Sequence, residues 1–222
     1  MFLLGPVPDL LPDALVSRAG GIASSTIGHM RDHGFAHGLA ALTGANRAVG
    51  TAFTVRLPDL DSTMLHYAVD RIEPGHVLVI DAGGRTDRAC AGAMVAFAAL
   101  HRGAAAIVVD GMATDLPDLV EFGIPVFARG ISPRTTRVLG VEGAMNVPVS
   151  VAGAAVEPGM LVIADQDGVA FLSAADFEAV ADRAEKAQQI EPGVKEAVLA
   201  GKLLSELSGA ADLVHQKAVH LS

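Results

Sequence analysis

Short apolar runs that end in a carboxylate predict the buried strands of this chain. The stretches 77–81 and 105–110 are each a run of aliphatic residues that ends in aspartate, with glycine close behind. Continuous apolar runs of this length are typical of strands covered on both faces of a parallel sheet. Between them, residues 89–102 are rich in alanine, methionine and leucine and stop at Gly103, which predicts a helix. The order strand, helix, strand therefore predicts a βαβ unit with a right-handed crossover.

The rest of the pattern adds further strands and a helical tail. Strands are predicted at 49–56, 125–128, 145–151, 161–164 and 169–172. Helices are predicted twice within 10–38, once at 62–69, and along the tail from Ala174 with a break at Pro192. Because no long helices separate the strands of the second half, the pattern favours a mixed sheet over a simple doubly wound fold. We expect one α/β domain over residues 1–222, of which about 174–222 form a helical tail.

The composition is that of a folded chain without affinity for nucleic acid. Of its 222 residues, 51% are hydrophobic and 18% are charged, which excludes an intrinsically disordered protein. The net charge of −9 opposes binding to a polyanion. No apolar window is long enough for a transmembrane helix, and no basic segment precedes the apolar start. We therefore expect a cytoplasmic protein with neither membrane nor nucleic-acid partners.

Two residue types limit the chemistry that this chain can perform. The four lysines all lie beyond residue 185, at Lys186, Lys195, Lys202 and Lys217. A Schiff-base mechanism needs a desolvated lysine in the central pocket, so carbonyl chemistry here would need a metal ion or hydrogen-bond donors instead. The single cysteine, Cys90, excludes an internal disulfide, and without a recognisable base partner it is expected to be an inert core residue.

Carboxylates concentrate where the predicted strands end. They are Asp81, Asp87, Asp110 and Asp115. Open α/β sheets bind ligands at the carboxyl ends of their strands, and hard carboxylate oxygens suit Mg²⁺ or Mn²⁺. A turn or helix-capping role is the alternative for each of these acids. In the glycine-rich loop at 83–88, Arg85 and Arg88 are candidates to hold a substrate carboxylate, the alternative being that they are solvated.

Histidines are numerous in the N-terminal part of the chain. His29, His33 and His37 recur every four residues, so on one helix they would share a face that could bind a metal. Gly34 and Gly38 argue against this site because they indicate an early end to the helix. We favour the alternative, in which His29 alone acts in proton transfer.

Four motifs in a fixed order resemble the RraA-like family. They are IVVDGMATD from Ile107, GIPVFARGISPR from Gly123, NVPVSVAG from Asn146 and VEPGMLVIADQDGVA from Val156. The resemblance covers roughly residues 20–175. The family includes metal-dependent 4-hydroxy-4-methyl-2-oxoglutarate aldolases and proteins that bind and inhibit ribonuclease E. It implies a three-layer β/β/α swivelling-domain fold and a homotrimer or homohexamer with sites between subunits.

The resemblance also implies a set of site residues. In the aldolases of the family, a glycine-led helix start binds the pyruvyl group through backbone amides, and an arginine–aspartate pair follows later in the chain. The helix start falls on the substrate-binding residues Gly92, Ala93, Met94 and Val95, and the pair falls on Thr114 and Asp115. The metal ligand is therefore present. Threonine replaces the arginine that holds the substrate carboxylate, and Ala93 replaces a residue that is usually acidic.

Other residues are candidates to replace the missing groups. The predicted helix places Arg88 one turn before Gly92, which makes it the first candidate to hold the carboxylate, with Arg85 second. The aldolases also use an acid from the first helices of a neighbouring subunit, and the similar segment here places His29 near that position. An imidazole there would change the proton transfer rather than abolish it.

Residues and resemblance together predict a metal-dependent carbon–carbon lyase. It would act by retro-aldol cleavage or decarboxylation on a small 2-oxo acid or related carboxylated substrate, through a metal-stabilised enolate. Asp115 would bind Mg²⁺ or Mn²⁺, Arg88 would orient the carboxylate, and His29 or a polarised water would move the proton. The alternative is a non-enzymatic RraA-like binding or regulatory protein with a vestigial pocket. The changes at Thr114 and Ala93 favour that alternative.

Overall fold

A mixed sheet of eleven strands forms the body of the computed structural model, which describes residues 1–44 and 47–218. The strands are β1 (Phe2–Leu4), β2 (Phe35–Ala36), β3 (Ala40–Ala41), β4 (Arg47–Arg56), β5 (His76–Asp81), β6 (Ala89–Ala91), β7 (Ala106–Ala113), β8 (Val126–Ile131), β9 (Gly143–Met145), β10 (Val149–Val151), β11 (Ala154–Val156), β12 (Leu161–Asp165) and β13 (Gly168–Leu172). The helices are α1 (Asp13–Gly20), α2 (Ser24–Gly28), α3 (Thr63–Val69), α4 (Ala93–His101), α5 (Leu116–Phe122), α6 (Ala174–Leu199), α7 (Leu204–Leu207) and α8 (Ala210–His215). β10 and β11 pair only with each other and form a separate small sheet.

The centre of the large sheet is parallel and its ends are antiparallel. The main path across it is β2, β13, β12, β4, β5, β7, β8 and β3. Strands β4, β5, β7 and β8 run parallel, whereas β12 is antiparallel to both β4 and β13. β5 and β7 are parallel neighbours with α4 between them in the chain, which confirms the predicted βαβ unit. The predicted mixed sheet is confirmed as well.

Two apolar clusters cover opposite faces of the sheet and give the three-layer β/β/α arrangement. On one face, α3, α4 and α5 bury Leu65, Val95 and Leu119 against strand residues such as Leu78. On the other face, the small β10–β11 sheet buries Val151 and its neighbours against the same strands. A third cluster joins α1, α2 and α6 to β12 and β13. The expected fold class is confirmed, and the central strands are covered on both faces, as their continuous apolar runs predict.

The structure corrects two predicted boundaries. Ala89–Ala91 is not the first turn of the predicted helix but strand β6, which pairs with β7, and α4 begins only after Gly92. Arg88 therefore does not lie one helical turn before that glycine. The strand predicted at 145–151 is divided into β9 and β10, because Asn146 adopts a left-handed φ of 51° and turns the chain.

Two predictions about helices are also wrong. α6 does not break at Pro192 but continues through it as a helix of 26 residues. The proline removes one backbone donor, and because its surroundings are exposed, water can reach the carbonyl that this leaves free. α2 ends at Gly28, so His33 and His37 lie beyond it and the three N-terminal histidines do not share a helix face. Gly34, with a φ of 89°, turns the chain between them.

The C-terminal tail is helical over most of the part that the structure describes. α7 and α8 follow α6, and residues 219–222 of the predicted tail lie outside the described residues. Within 1–44 and 47–218, no helix is long and apolar enough to cross a bilayer. The assignment of residues 1–222 to a single domain stays a prediction.

Candidate active site

Asp115 is at the centre of the site because the chain directs its side chain toward a neighbouring helix. β7 ends at Ala113 and α5 begins at Leu116, and Asp115 lies between them in a left-handed conformation with φ at 57°. Its Oδ2 accepts a hydrogen bond from the backbone N–H of Ala93 at 2.9 Å, and its Oδ1 accepts one from the Thr114 hydroxyl at 3.3 Å. The carboxylate therefore meets the first turn of α4 instead of capping its own helix.

Gly92 permits this close approach between α4 and the strand end. Its backbone is extended, with φ at −142°, so glycine is not required there for conformational reasons. A Cβ at this position would lie 2.5 Å from Asp115 Oδ2 and 2.6 Å from Thr114 Cγ2. The missing side chain is therefore what allows the carboxylate to reach the helix start.

The start of α4 gives the site a local positive potential. The helix has nine residues, and the N–H groups of Met94 and Val95 lie in its first turn, where a helix supplies no internal acceptor. Aligned peptide dipoles place roughly half a positive charge at such a terminus, which favours anions. Backbone donors and the Asp115 carboxylate thus lie side by side, as the resemblance implies.

An open cavity of about 170 Å³ lies in front of these groups. It is lined by Ser62, His66, Ala89, Cys90, Ala91, Gly92, Ala93, Met94, Val95, Thr114, Asp115, Thr135 and Thr136. The structure therefore brings together the predicted helix start and the predicted pair at 114–115. Sequence reasoning did not connect Ser62, His66, Thr135 or Thr136 with the site. No motif marks them, because only the packing of α3 and of the loop after β8 places them there.

Asp61 holds the loop between β8 and β9 in position. Its side chain is 2% exposed and accepts hydrogen bonds from the backbone N–H and the hydroxyl of Thr63, and from the backbone N–H groups of Leu139, Val141 and Glu142. Burial alone would raise the pKa of this carboxyl group, but the hydrogen bonds outweigh it and hold the pKa well below its ordinary value. One buried carboxylate thus ties the start of α3 to the loop that supplies Thr135 and Thr136.

Arg88 is not among the described residues that line the cavity. Its Nη1 donates to the backbone carbonyl of Thr135 at 3.2 Å, and its side chain is largely buried. Arg85, the second candidate, forms ion pairs with Asp59 and Asp87. In this arrangement both guanidinium groups bind parts of the protein itself, and a role for either in holding substrate stays a prediction.

The other three strand-end acids have local partners. Asp81 accepts the N–H of Gly83 at 3.0 Å, which is a turn interaction. Asp110 is buried, pairs with Arg129 at 2.6 Å and accepts the N–H of Ala152 at 2.7 Å. Asp87 lies beside Arg85, and although desolvation opposes ionisation, the hydrogen bond and charge of that arginine lower the pKa of its carboxyl group. Asp81 thus has the turn role given as the alternative, whereas Asp110 and Asp87 are held by ion pairs with arginine and not by a turn or a helix cap.

His29 and Cys90 occupy very different places. His29 follows the last residue of α2, a helix that packs on β12, β13 and α6, and it does not line the cavity. Its predicted role depended on a neighbouring subunit and stays a prediction. Cys90 does line the cavity, but it is buried, and desolvation raises the pKa of its thiol to about 12. A thiol with that pKa carries almost no thiolate near neutrality, which agrees with an inert residue.

The donor set at Asp115 fits one type of cation. Among the described residues, no group of three or more histidine, cysteine, aspartate or glutamate side chains converges on a point. Zinc sites need such a group, whereas Mg²⁺ and Mn²⁺ are commonly held by one or two carboxylates, with water and substrate oxygens completing the shell. The exposed carboxylate of Asp115 beside a hydroxyl therefore suits Mg²⁺ or Mn²⁺.

Fold and site define a class, namely three-layer β/β/α swivelling domains that set a carboxylate against a helix N-terminus. Within it, the chain belongs to the RraA-like family, because the family model described as Aldolase/RraA matches residues 13–171. Two relatives carry the name "Putative 4-hydroxy-4-methyl-2-oxoglutarate aldolase". The protein from Halalkalibacterium halodurans is 31% identical over 170 residues, which are 77% of this chain and 80% of its own. The protein from Burkholderia multivorans is 36% identical over 126 residues, which are 57% of this chain and 76% of its own.

Solved structures show the same fold. Streptomyces coelicolor RraAS2, described as an unusual member of the RNase ES inhibitor RraA protein family, superposes with a TM-score of 0.76 at 28% identity, covering 84% of this chain and 98% of its own. An uncharacterized protein of Pseudomonas syringae pv. tomato reaches a TM-score of 0.79 at 24% identity, covering 91% and 96%. The relatives' names thus point to a lyase, and the structural neighbours include a protein of an inhibitor family.

Proposed function

We propose that this protein is a divalent-metal-dependent carbon–carbon lyase that cleaves or decarboxylates a small 2-oxo acid. The observation that carries the proposal is the placement of the Asp115 carboxylate against the first turn of α4, at the mouth of an open cavity. A cavity of about 170 Å³ is smaller than the usual pockets for drug-sized ligands, so it suits a short acid.

The substrate carboxylate is bound, in this proposal, by the start of α4. The N–H groups of Met94 and Val95 have no acceptor within their helix and lie at its positive end. Thr114 can add a single neutral hydrogen bond where the aldolases of the resemblance have arginine. A charge-assisted hydrogen bond contributes roughly 1.5–3 kcal/mol, so substrate binding here depends more on backbone donors than it does in those aldolases.

Asp115 has the second role, that of cation ligand. When bound there, Mg²⁺ or Mn²⁺ would supply positive charge beside the substrate carbonyl, where negative charge grows as the carbon–carbon bond breaks. The described residues that line the cavity include no lysine, and the proposed mechanism uses none. The same charge development occurs in retro-aldol cleavage and in decarboxylation, so one site serves either reaction.

We also propose an assembly for this protein. We place the protein in a homotrimer or homohexamer in the cytoplasm, with His29 reaching the cavity of a neighbouring subunit. The open side of the cavity is compatible with residues donated from outside the chain, since Met94 and Thr135 at its rim are exposed.

A second candidate is a binding protein without catalysis. The resemblance to RraAS2, which covers 84% of the chain, and the replacement of an arginine by Thr114 favour it. Such a protein would bind a ribonuclease of the type named for that neighbour. Its partner binding would be independent of divalent cations and unaffected by Asp115→Asn.

The test is turnover with a matched pair of variants. Purified protein is incubated with oxaloacetate or 4-hydroxy-4-methyl-2-oxoglutarate and Mg²⁺ or Mn²⁺, and pyruvate is followed with lactate dehydrogenase. Asp115→Asn should lose cation binding together with a factor on the order of 100 in kcat/KM. Asp118→Asn removes an exposed carboxylate three residues away on α5 and should change neither. Undiminished turnover in fully chelated buffer would refute the proposal.

A further inference from the structure

The proposed reaction needs a group that moves a proton, and this inference rests on that proposed function. In retro-aldol cleavage a base takes the proton of the substrate hydroxyl, and an acid then delivers a proton to the carbon of the enolate. Decarboxylation needs only the second step. One imidazole can perform both, because it gains the proton in the first step and returns it in the second.

Within the part of the chain that the structure describes, three of the side chains that line the cavity are titratable, namely His66, Cys90 and Asp115. Burial raises the pKa of the Cys90 thiol to about 12, so the thiol is a poor base near neutrality. Asp115 accepts the N–H of Ala93 and, in the proposed function, binds the cation. Of the cavity-lining groups that this chain itself supplies, His66 is therefore the one that remains for proton transfer, and His29 of a neighbouring subunit is the competing candidate.

The fold brings His66 to the cavity through α3. This helix begins at Thr63, and the backbone N–H of His66 donates to the Ser62 carbonyl at 3.2 Å, which holds His66 in the helix one turn after Ser62. Leu65, its neighbour on α3, is buried in the same apolar cluster as Val95 of α4. The start of α3 thus faces the start of α4, and the exposed imidazole lies at the cavity wall.

We propose that His66 is the proton-transfer residue of this site. Neutral imidazole accepts the hydroxyl proton of the substrate while the carbon–carbon bond breaks and its electron pair forms the enolate. The resulting imidazolium donates that proton to the enolate carbon, which forms the new C–H bond. The step balances, because one substrate gives two carbonyl products and the histidine returns to its neutral state.

The experiment measures proton transfer without bond cleavage. Pyruvate and Mg²⁺ are incubated with the protein in D₂O, and the loss of the methyl proton signal is followed by NMR. Exchange requires only that a base remove a methyl proton and that a deuteron return. We expect exchange by His66→Gln to be slower by a factor on the order of 100, with cation affinity unchanged. Added imidazole should restore part of the rate in His66→Ala.

Two further histidine variants make the result specific. His101→Gln, at the far end of α4 and outside the cavity lining, should exchange at the wild-type rate. If His29→Gln slows exchange and His66→Gln does not, the group is donated by a neighbouring subunit and our inference is wrong. If wild type is active and His66→Gln matches it, the inference fails while the lyase stands. If wild type neither exchanges pyruvate protons nor binds the cation, both fail.

Discussion

Gly92→Ala tests whether the close contact between α4 and Asp115 creates the site. The added Cβ would lie 2.5 Å from Asp115 Oδ2, about 1 Å inside a normal contact distance. Because φ at this glycine is −142°, alanine can adopt the backbone conformation without strain. The carboxylate must therefore withdraw by about 1 Å, and displacements of this size typically cost about 100-fold in rate.

The stability cost of the same change should be small. Alanine is a poorer N-cap than glycine, and the hydrogen bond between Asp115 and Ala93 is lost, which together amount to about 2 kcal/mol. For a chain of this length, that lowers Tm by about 4–8 °C.

We therefore expect a folded protein with weakened cation binding and about 1% of wild-type kcat/KM. Calorimetry measures cation binding, scanning fluorimetry measures Tm, and the pyruvate assay measures kcat/KM. Gly20→Ala is the control, since its Cβ would meet no atom within 4 Å. A Gly92→Ala enzyme with kcat/KM within about threefold of wild type would show that the contact is irrelevant.

Two other changes follow from the site's electrostatics. Asp61→Asn should cost about 2–3 kcal/mol near pH 7, since it weakens hydrogen bonds to a buried charge. The folded-state pKa of Asp61 lies below its ordinary value of 3.8, so its contribution is present above that value and is lost as the pH falls below it. In urea unfolding across the acid range, the free energy of unfolding should therefore fall less steeply with decreasing pH in the variant than in wild type. Parallel plots of unfolding free energy against pH for the two proteins would contradict this. Thr114→Arg should lower the KM for a 2-oxo acid about tenfold, because it adds a charge-assisted bond, and an unchanged KM would show that the guanidinium cannot reach the substrate.

The central strands of the fold could be predicted because their physical cause is local. The run at 77–80 is apolar without interruption, and only a strand covered on both faces buries all of its side chains. The predicted boundaries of helices and strands were wrong where contacts between residues far apart in the sequence determine the backbone conformation. Ala89–Ala91 has a composition that suits a helix, yet pairing with β7 makes it a strand. Pro192 is tolerated within α6 because its surroundings are exposed.

Part of the candidate site could be predicted from the sequence, and part of it could not. The pair at 114–115 belongs to the first of the ordered motifs, and the helix start at 92–95 is implied by the family resemblance that those motifs carry, so both could be predicted from the sequence. His66 and Thr135 are in the cavity only because long-range hydrogen bonds through Asp61 join α3 to the loop after β8. No spacing in the sequence encodes that contact, which is why sequence reasoning passed over them.

Counting donors explains why one aspartate among several is available for chemistry. An ionised carboxylate offers about four lone-pair positions. Asp61 is buried and accepts five hydrogen bonds from nearby donors, so no position is left for a ligand. Asp110 is buried between Arg129 and a backbone N–H. Asp115 is exposed and accepts two hydrogen bonds from the described residues, and its remaining lone pairs are therefore free to bind a cation.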